Sequence, residues 1–169
     1  SYKPYIKVYR QDIIINKKKI KNFHRVEFPN SVMVILRKNK SYLLLKENRI
    51  GLRKKAFSFP GGHIDKNETP LKAAKRELLE ETGIIAKKWK KLSEFTRSGT
   101  YYCGKEFIFF SEYNYEIKNI QIDEDVISSH WLSLHDLLKM FKNNNFQTPG
   151  MAISVIWLFN HLGLLLPTY

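Results

Sequence analysis

Between Gly62 and Ile84 the chain spaces a glycine, a lone glutamate and the run Arg76, Glu77, Leu78, Leu79, Glu80, Glu81, Thr82, Gly83, Ile84 in a way that leaves few folds open. Thr69 can cap a helix, Pro70 presets its first turn and Gly83 supplies a left-handed stop, so the spacing predicts a helix between them. On that helix Glu77, Glu80 and Glu81 stand at i, i+3 and i+4 and share one face. Such a cluster costs about a few tenths of a kcal/mol per like-charged pair unless a cation sits among the side chains. A hard divalent ion, Mg²⁺ or Mn²⁺, takes carboxylate, carbonyl and water oxygens and bridges them to phosphates.

The same helix carries Leu71, Ala74 and Leu78 on its other side, an apolar strip that predicts packing against a sheet. Arg76 and Glu68 suit a supporting role, because a guanidinium fork holds a carboxylate bidentately and can orient the glutamates. Gly61 and Gly62 permit a tight, unhindered loop beside the helix. Acidic clusters on helices are usually solvated faces. The glycine loop and the fixed spacing distinguish this one.

At 169 residues and 43% hydrophobic content, a single globular domain spanning 1–169 is expected. No apolar run approaches the roughly 20 residues of a membrane span, and the basic, aromatic N-terminus lacks the apolar centre of a secretory signal. A soluble, cytoplasmic protein without a membrane partner is therefore expected. The lone Cys103 excludes an internal disulfide framework and a structural zinc site, and reads as a small, buried or partly buried residue. The net charge of +13 favours phosphate-rich ligands. Abundant Lys, Asn and Ile make compositional bias an equal explanation, and nucleic acid is a permitted but not a favoured partner.

Extended segments are predicted over 5–15 and 20–28, forming a strand-rich N-terminal lead-in over 1–30. A buried hairpin is expected from 31–37 and 42–46, followed by a basic loop over 48–55. Further strands are read over 106–113 and 126–132, with Ser133 and Asp136 as a capping box for a short helix. A last helix over 150–161 is apolar around most of its circumference and must be buried in the core or against a second subunit.

From Gly62 to Ile84 the chain matches the Nudix box in full. At average residue frequencies, nine specified positions coincide roughly once in a billion starting points. Phe59, Pro60 and Gly61 precede the box as they do in that family. The resemblance covers most of the chain and is closest to the ADP-ribose pyrophosphatase branch. It implies an α/β fold, an α/β/α sandwich with a mixed sheet. It further implies metal binding by Glu77, Glu80, Glu81 and the Gly61 carbonyl, with Glu80 and Arg76 in the catalytic set and Glu68, Gly62 and Gly83 in support. The branch places a catalytic glutamate on a downstream acidic loop, where Glu124 of Asp123–Asp125 is the candidate. It is usually homodimeric through exchanged N-terminal segments.

Arg49 is followed after eight residues by Ser58, Phe59, Pro60, which keeps the branch's spacing but puts serine where its triplet has glutamate. Phe57 to Gly62 also resembles the Trp-x-Phe-Pro-Gly-Gly stretch of nucleoside triphosphate-cleaving members. Trp89, Leu92, Phe95, Ser98 and Gly99 resemble the branch's substrate-side segment, without its usual proline. Arg49, Arg53, Ser98 and Gly99 are thus the candidate substrate contacts. Tyr101 and Tyr102 are candidates for base stacking, and Lys54 and Lys55 for the diphosphate. His63, His130 and His135 lack metal-ligand spacing with one another. The expected substrate is a nucleoside diphosphate derivative, ADP-ribose or another nucleotide sugar. A nucleoside triphosphate, a capped RNA end and an inert nucleotide-sensing domain are the alternatives.

Overall fold

The computed structural model describes residues 6–118 and 120–164. In chain order the strands are β1 (Lys7–Ile15), β2 (Lys18–Glu27), β3 (Ser31–Lys38), β4 (Ser41–Arg49) and β5 (Lys54–Ser58). Helix α1 (Pro70–Thr82) follows, then β6 (Ile84–Thr96), β7 (Tyr102–Cys103), β8 (Lys105–Glu116), β9 (Val126–Ser133), α2 (Leu134–Lys142) and α3 (Pro149–His161). One sheet runs β5-β4-β3-β8-β6 with β9 also paired to β4, and a second, smaller sheet runs β1-β2-β7.

Alternation along the central strands builds two cores, one on each face. Val32, Val34 and Leu36 of β3 and Leu43 and Leu45 of β4 point to one side, where Ala73, Ala74 and Leu78 of α1 cover them. Ile35, Tyr42, Leu44, Ile108 and Phe110 point to the other, under Leu137 of α2 and Met151, Val155 and Leu158 of α3. Because β3 and β8 pair in parallel between helical layers, their side chains are buried on both faces and read as near-continuous apolar runs. This is the expected α/β/α sandwich. None of the helices among the described residues is long and apolar enough to cross a membrane.

The helix limits follow the sequence closely. Thr69 Oγ1 accepts from the Lys72 N–H at 3.3 Å, and Gly83 closes α1 at φ 71°. Ser133 and Asp136 form the capping box of α2. Residue 5, the expected start of the first extended segment, lies outside the described residues. Three expectations need correction. The 31–37 and 42–46 hairpin pairs only at its turn, through Arg37 with Tyr42 and Lys38 with Ser41, because β3 turns to β8 and β4 to β9. Half of the expected 48–55 loop is strand, Asn48 and Arg49 ending β4 and Lys54 and Lys55 opening β5, with a short 3-10 turn, Ile50–Leu52, and Arg53 between them. Leu71 is exposed, and Ala73 is buried with Ala74 and Leu78 in the core beneath the helix.

Candidate active site

Helix α1 delivers its acids to a cavity of about 430 Å³ whose walls come from β4, the glycine loop, α1 and the 123–126 segment. The lining carries seven acidic residues against two arginines, so the cavity is strongly negative inside a chain that is strongly positive. Glu77, Glu80 and Glu81 all reach it. Glu77 and Glu81 are buried, at only 8% and 7% exposed, while the Glu80 side chain is partly exposed at the rim.

Arg76 organises one side of the cluster. Its Nε donates to Glu68 Oε1 at 3.1 Å and its Nη2 to Glu68 Oε2 at 3.0 Å, the bidentate fork read from the sequence. Nη1 donates to Glu77 and Glu80 at 2.9 Å each, and Nη2 also reaches the His63 carbonyl. The hydrogen bond to Glu68 is the main reason that the Arg76 pKa is raised, and the same bond lowers that of Glu68.

The glycine loop explains why these residues need no side chain. A Cβ on Gly61 would lie 2.1 Å from the Val32 carbonyl oxygen, and one on Gly62 would lie 2.5 Å from the Glu77 carboxylate. The Gly61 N–H donates to Glu81 Oε2 at 2.8 Å. Burial, reinforced by the charges of Glu47 and Glu77 and opposed by that N–H, pushes the Glu81 carboxyl up to about 9. Glu77 and Glu47 are also raised, again chiefly by burial.

Several sequence candidates lie elsewhere. Glu124 is exposed and does not line the cavity, whereas its neighbours Asp123 and Asp125 do. Arg49 lines it, paired to Glu47 at 2.6 Å, but Arg53 opens onto an adjoining hollow with Lys54 and Lys55. Ser98 and Gly99 do not line the cavity, because β6 ends before them at Thr96. Trp89, Leu92 and Phe95 lie on β6 and pack against the two cores. Tyr101 stacks on Phe23 and Tyr102 tilts against Phe28, which ties both to the small sheet. His63 lines the cavity, whereas His130 bonds Ser128 and packs on Phe57. Cys103 is half-buried, with its thiol directed at the Val26 carbonyl.

Glu47 is the principal residue not singled out from the sequence. Its signal lies in the strand period: Leu43, Leu45 and Glu47 alternate onto the face of β4 that α1 covers, so a glutamate two residues past an inward leucine also points inward.

The donor chemistry fits a hard divalent cation. Carboxylates converge on the cavity from α1, and the Gly61 backbone adjoins them without a side chain between. Among the described residues no three acidic, histidine or cysteine side chains already form a coordination sphere, and Arg76 stands between Glu77 and Glu80 as their cation.

What this fold and this cavity define together is a pyrophosphohydrolase. The chain belongs to the Nudix family: the NUDIX domain model matches residues 27–151. It is 26% identical to the ADP-ribose pyrophosphatase of Bacillus subtilis (strain 168), over 90% of this chain and 84% of that one. It is 27% identical to phosphatase NudJ of Escherichia coli (strain K12), over 74% of this chain and 79% of that one. Among solved structures, an ADP compounds hydrolase superposes with a TM-score of 0.81 at 19% identity, covering 97% of this chain and 91% of that one. A NUDIX hydrolase from Nitrosomonas europaea superposes at 0.66 and 22% identity, over 83% and 97%.

Proposed function

We propose that the chain hydrolyses the diphosphate linkage of a nucleoside diphosphate derivative, ADP-ribose or another nucleotide sugar, with Mg²⁺ or Mn²⁺ as cofactor. The observation that carries this reading is the acid-lined cavity, in which buried Glu77 and Glu81 meet a side-chain-free glycine loop. Arg76 bonds Glu77 and Glu80 but not Glu81, and ionising several buried carboxylates beside a single guanidinium is costly, so a further cation in the cavity would stabilise the ionised cluster. Glu77, Glu80, Glu81 and the Gly61 carbonyl would hold such an ion, which would supply charge neutralisation and Lewis-acid polarisation at the diphosphate.

The chain's own groups do the rest. Arg76 holds Glu77 and Glu80 in place from the side, and Glu68 holds Arg76. Arg49, at the cavity wall, is positioned to take a phosphate oxygen. An acid of the Asp123–Asp125 loop orients the attacking water. The lining favours Asp123 or Asp125 over Glu124. ADP-ribose is favoured by the similarity to the Bacillus subtilis enzyme, which spans most of both chains. A homodimer through the small N-terminal sheet belongs to the same reading, since that sheet exposes Val8 and Ile14. Light scattering tests it.

A second reading, a nucleoside triphosphate or capped RNA end as substrate, is supported by the basic hollow that shares Asn48 and Arg49 with the acidic cavity. Both readings are tested by one screen of ADP-ribose, other nucleotide sugars, dinucleoside polyphosphates and nucleoside triphosphates with Mg²⁺ and with Mn²⁺. AMP and ribose 5-phosphate from ADP-ribose are expected. Steeply salt-sensitive RNA binding would favour the second reading. Turnover of none of these substrates with either metal would overturn both.

A further inference from the structure

Glu47 enters the cavity from the sheet, where the helix spacing gives no hint of it. It is only 5% exposed, less than either buried glutamate of α1. Ser58 Oγ donates to its Oε2 at 2.5 Å, and Arg49 Nη2 lies 2.6 Å from the same oxygen. Oε1 takes neither of these bonds. The negative charge of Glu47 bears on Glu81, and that of Asp125 bears on Glu47, so it adds to the repulsion within the cavity instead of relieving it.

The partner residue gives this placement its meaning. Ser58 stands where the resembling triplet carries glutamate, and on β5 it pairs with Leu45, two residues before Glu47 on the neighbouring strand. Paired residues project to the same face of a sheet, and diagonal neighbours are within reach. A carboxylate at 58 would therefore emerge beside the position that Glu47 now fills. This chain has the carboxylate on β4 and a hydroxyl on β5 that bonds it.

A purely structural glutamate here is hard to justify. Its removal from water is costly unless every oxygen is compensated, and an apolar residue would continue the Leu43, Leu45 row without that cost. We propose that Glu47 is an additional ligand of the divalent cation, entering from β4 and standing in for the carboxylate that position 58 lacks. This rests on the metal-dependent reading above, and its test separates the two.

The test is Mn²⁺ binding to the full chain, followed by electron paramagnetic resonance, in the wild type and in Glu47→Gln, Glu47→Asp, Ser58→Ala, Glu81→Gln and Glu94→Gln. Glu94 is an exposed residue of β6, paired to Lys91 and Lys105, and serves as the remote control. Glu47→Gln is expected to weaken Mn²⁺ binding about tenfold or more. Glu47→Asp is expected to recover part of that loss and Ser58→Ala, which removes only a hydrogen bond to the ligand, to cost less than Glu47→Gln, while Glu94→Gln keeps the wild-type affinity. Loss of binding in Glu81→Gln with wild-type affinity in Glu47→Gln would overturn this inference and leave the metal-dependent reading standing. Equal losses in Ser58→Ala and Glu47→Gln would reduce Glu47 to a structural contact and also overturn it. Failure of the wild type to bind Mn²⁺ at millimolar concentration would remove both. If Glu47→Gln does not fold, the Glu47→Asp and Ser58→Ala pair decides: a larger loss in the aspartate supports the proposal, and an equal or smaller loss in the aspartate overturns it.

Discussion

The Gly61 N–H and the Glu81 carboxylate meet at 2.8 Å, and this bond joins the glycine loop to α1 at the floor of the cavity. Glu81→Gln keeps an acceptor for that N–H, leaves no core void and replaces a carboxyl that burial already holds protonated, so the fold should persist with thermal stability near that of the wild type. Turnover in Mg²⁺ should fall by about three orders of magnitude, because a ligand to the ion is lost. Wild-type turnover in this variant, measured on any substrate the enzyme accepts, would contradict the mechanism.

In the metal-free protein, burial raises the Glu81 carboxyl from 4.5 to about 9, so the folded state holds a proton that the unfolded chain releases. The resulting stabilisation is complete below the unfolded value and is lost as pH climbs through the folded one. Melting temperature in EDTA should therefore decline between about pH 5 and about pH 9. Saturating Mg²⁺ should remove most of that slope, since the ion binds the ionised acids and displaces their protons. A flat or rising profile in EDTA would show that Glu81 does not hold a proton in the folded state.

Much of this site was written in local spacing. Thr69, Pro70 and Gly83 mark the limits of α1, and i, i+3, i+4 geometry places Glu77, Glu80 and Glu81 on one cavity. Residues brought in by sheet register were harder to read. Glu47 reaches the site because β4 pairs with β5 and β9, and no helical periodicity reports a strand pairing. Trp89, Leu92 and Phe95 resemble a substrate-side segment in sequence, and only the pairing of β6 with β8 shows that they pack against the two cores. The divergence of β3 from β4 was hidden for a related reason: two apolar strands joined by a short polar turn look alike whether they pair along their length or only at the turn.

Gly61 and Gly62 should respond differently to alanine. At Gly61 the new Cβ meets the Val32 backbone, which cannot swing aside, and about 1–3 kcal/mol of stability should be lost, visible as a lower denaturation midpoint. At Gly62 the obstacle is the Glu77 carboxylate, the movable end of a side chain. Gly62→Ala should therefore unfold near the wild-type midpoint while binding Mn²⁺ more weakly and turning over more slowly. Equal stability losses in the two variants would mean that Glu77 is held as rigidly as backbone.

The acidic loop gives the sharpest test of which carboxylate works on water. Its backbone is pinned at both ends: the Asp123 N–H donates to the Glu80 carbonyl at 3.2 Å, and the Asn48 N–H donates to the Asp125 carbonyl at 3.3 Å. With α1 and β4 both fixing the segment, Asp123 and Asp125 line the cavity and Glu124 between them does not. Asp125→Asn should lower kcat by about a hundredfold or more and remove the acidic limb of the pH–rate profile, as expected when a general base is lost. Glu124→Gln should retain near wild-type kcat with the limb intact. The opposite ranking would require the loop to break both backbone bonds and turn over when substrate binds, and hydrogen exchange at Asp123 and Asn48 with and without substrate would then reveal that rearrangement.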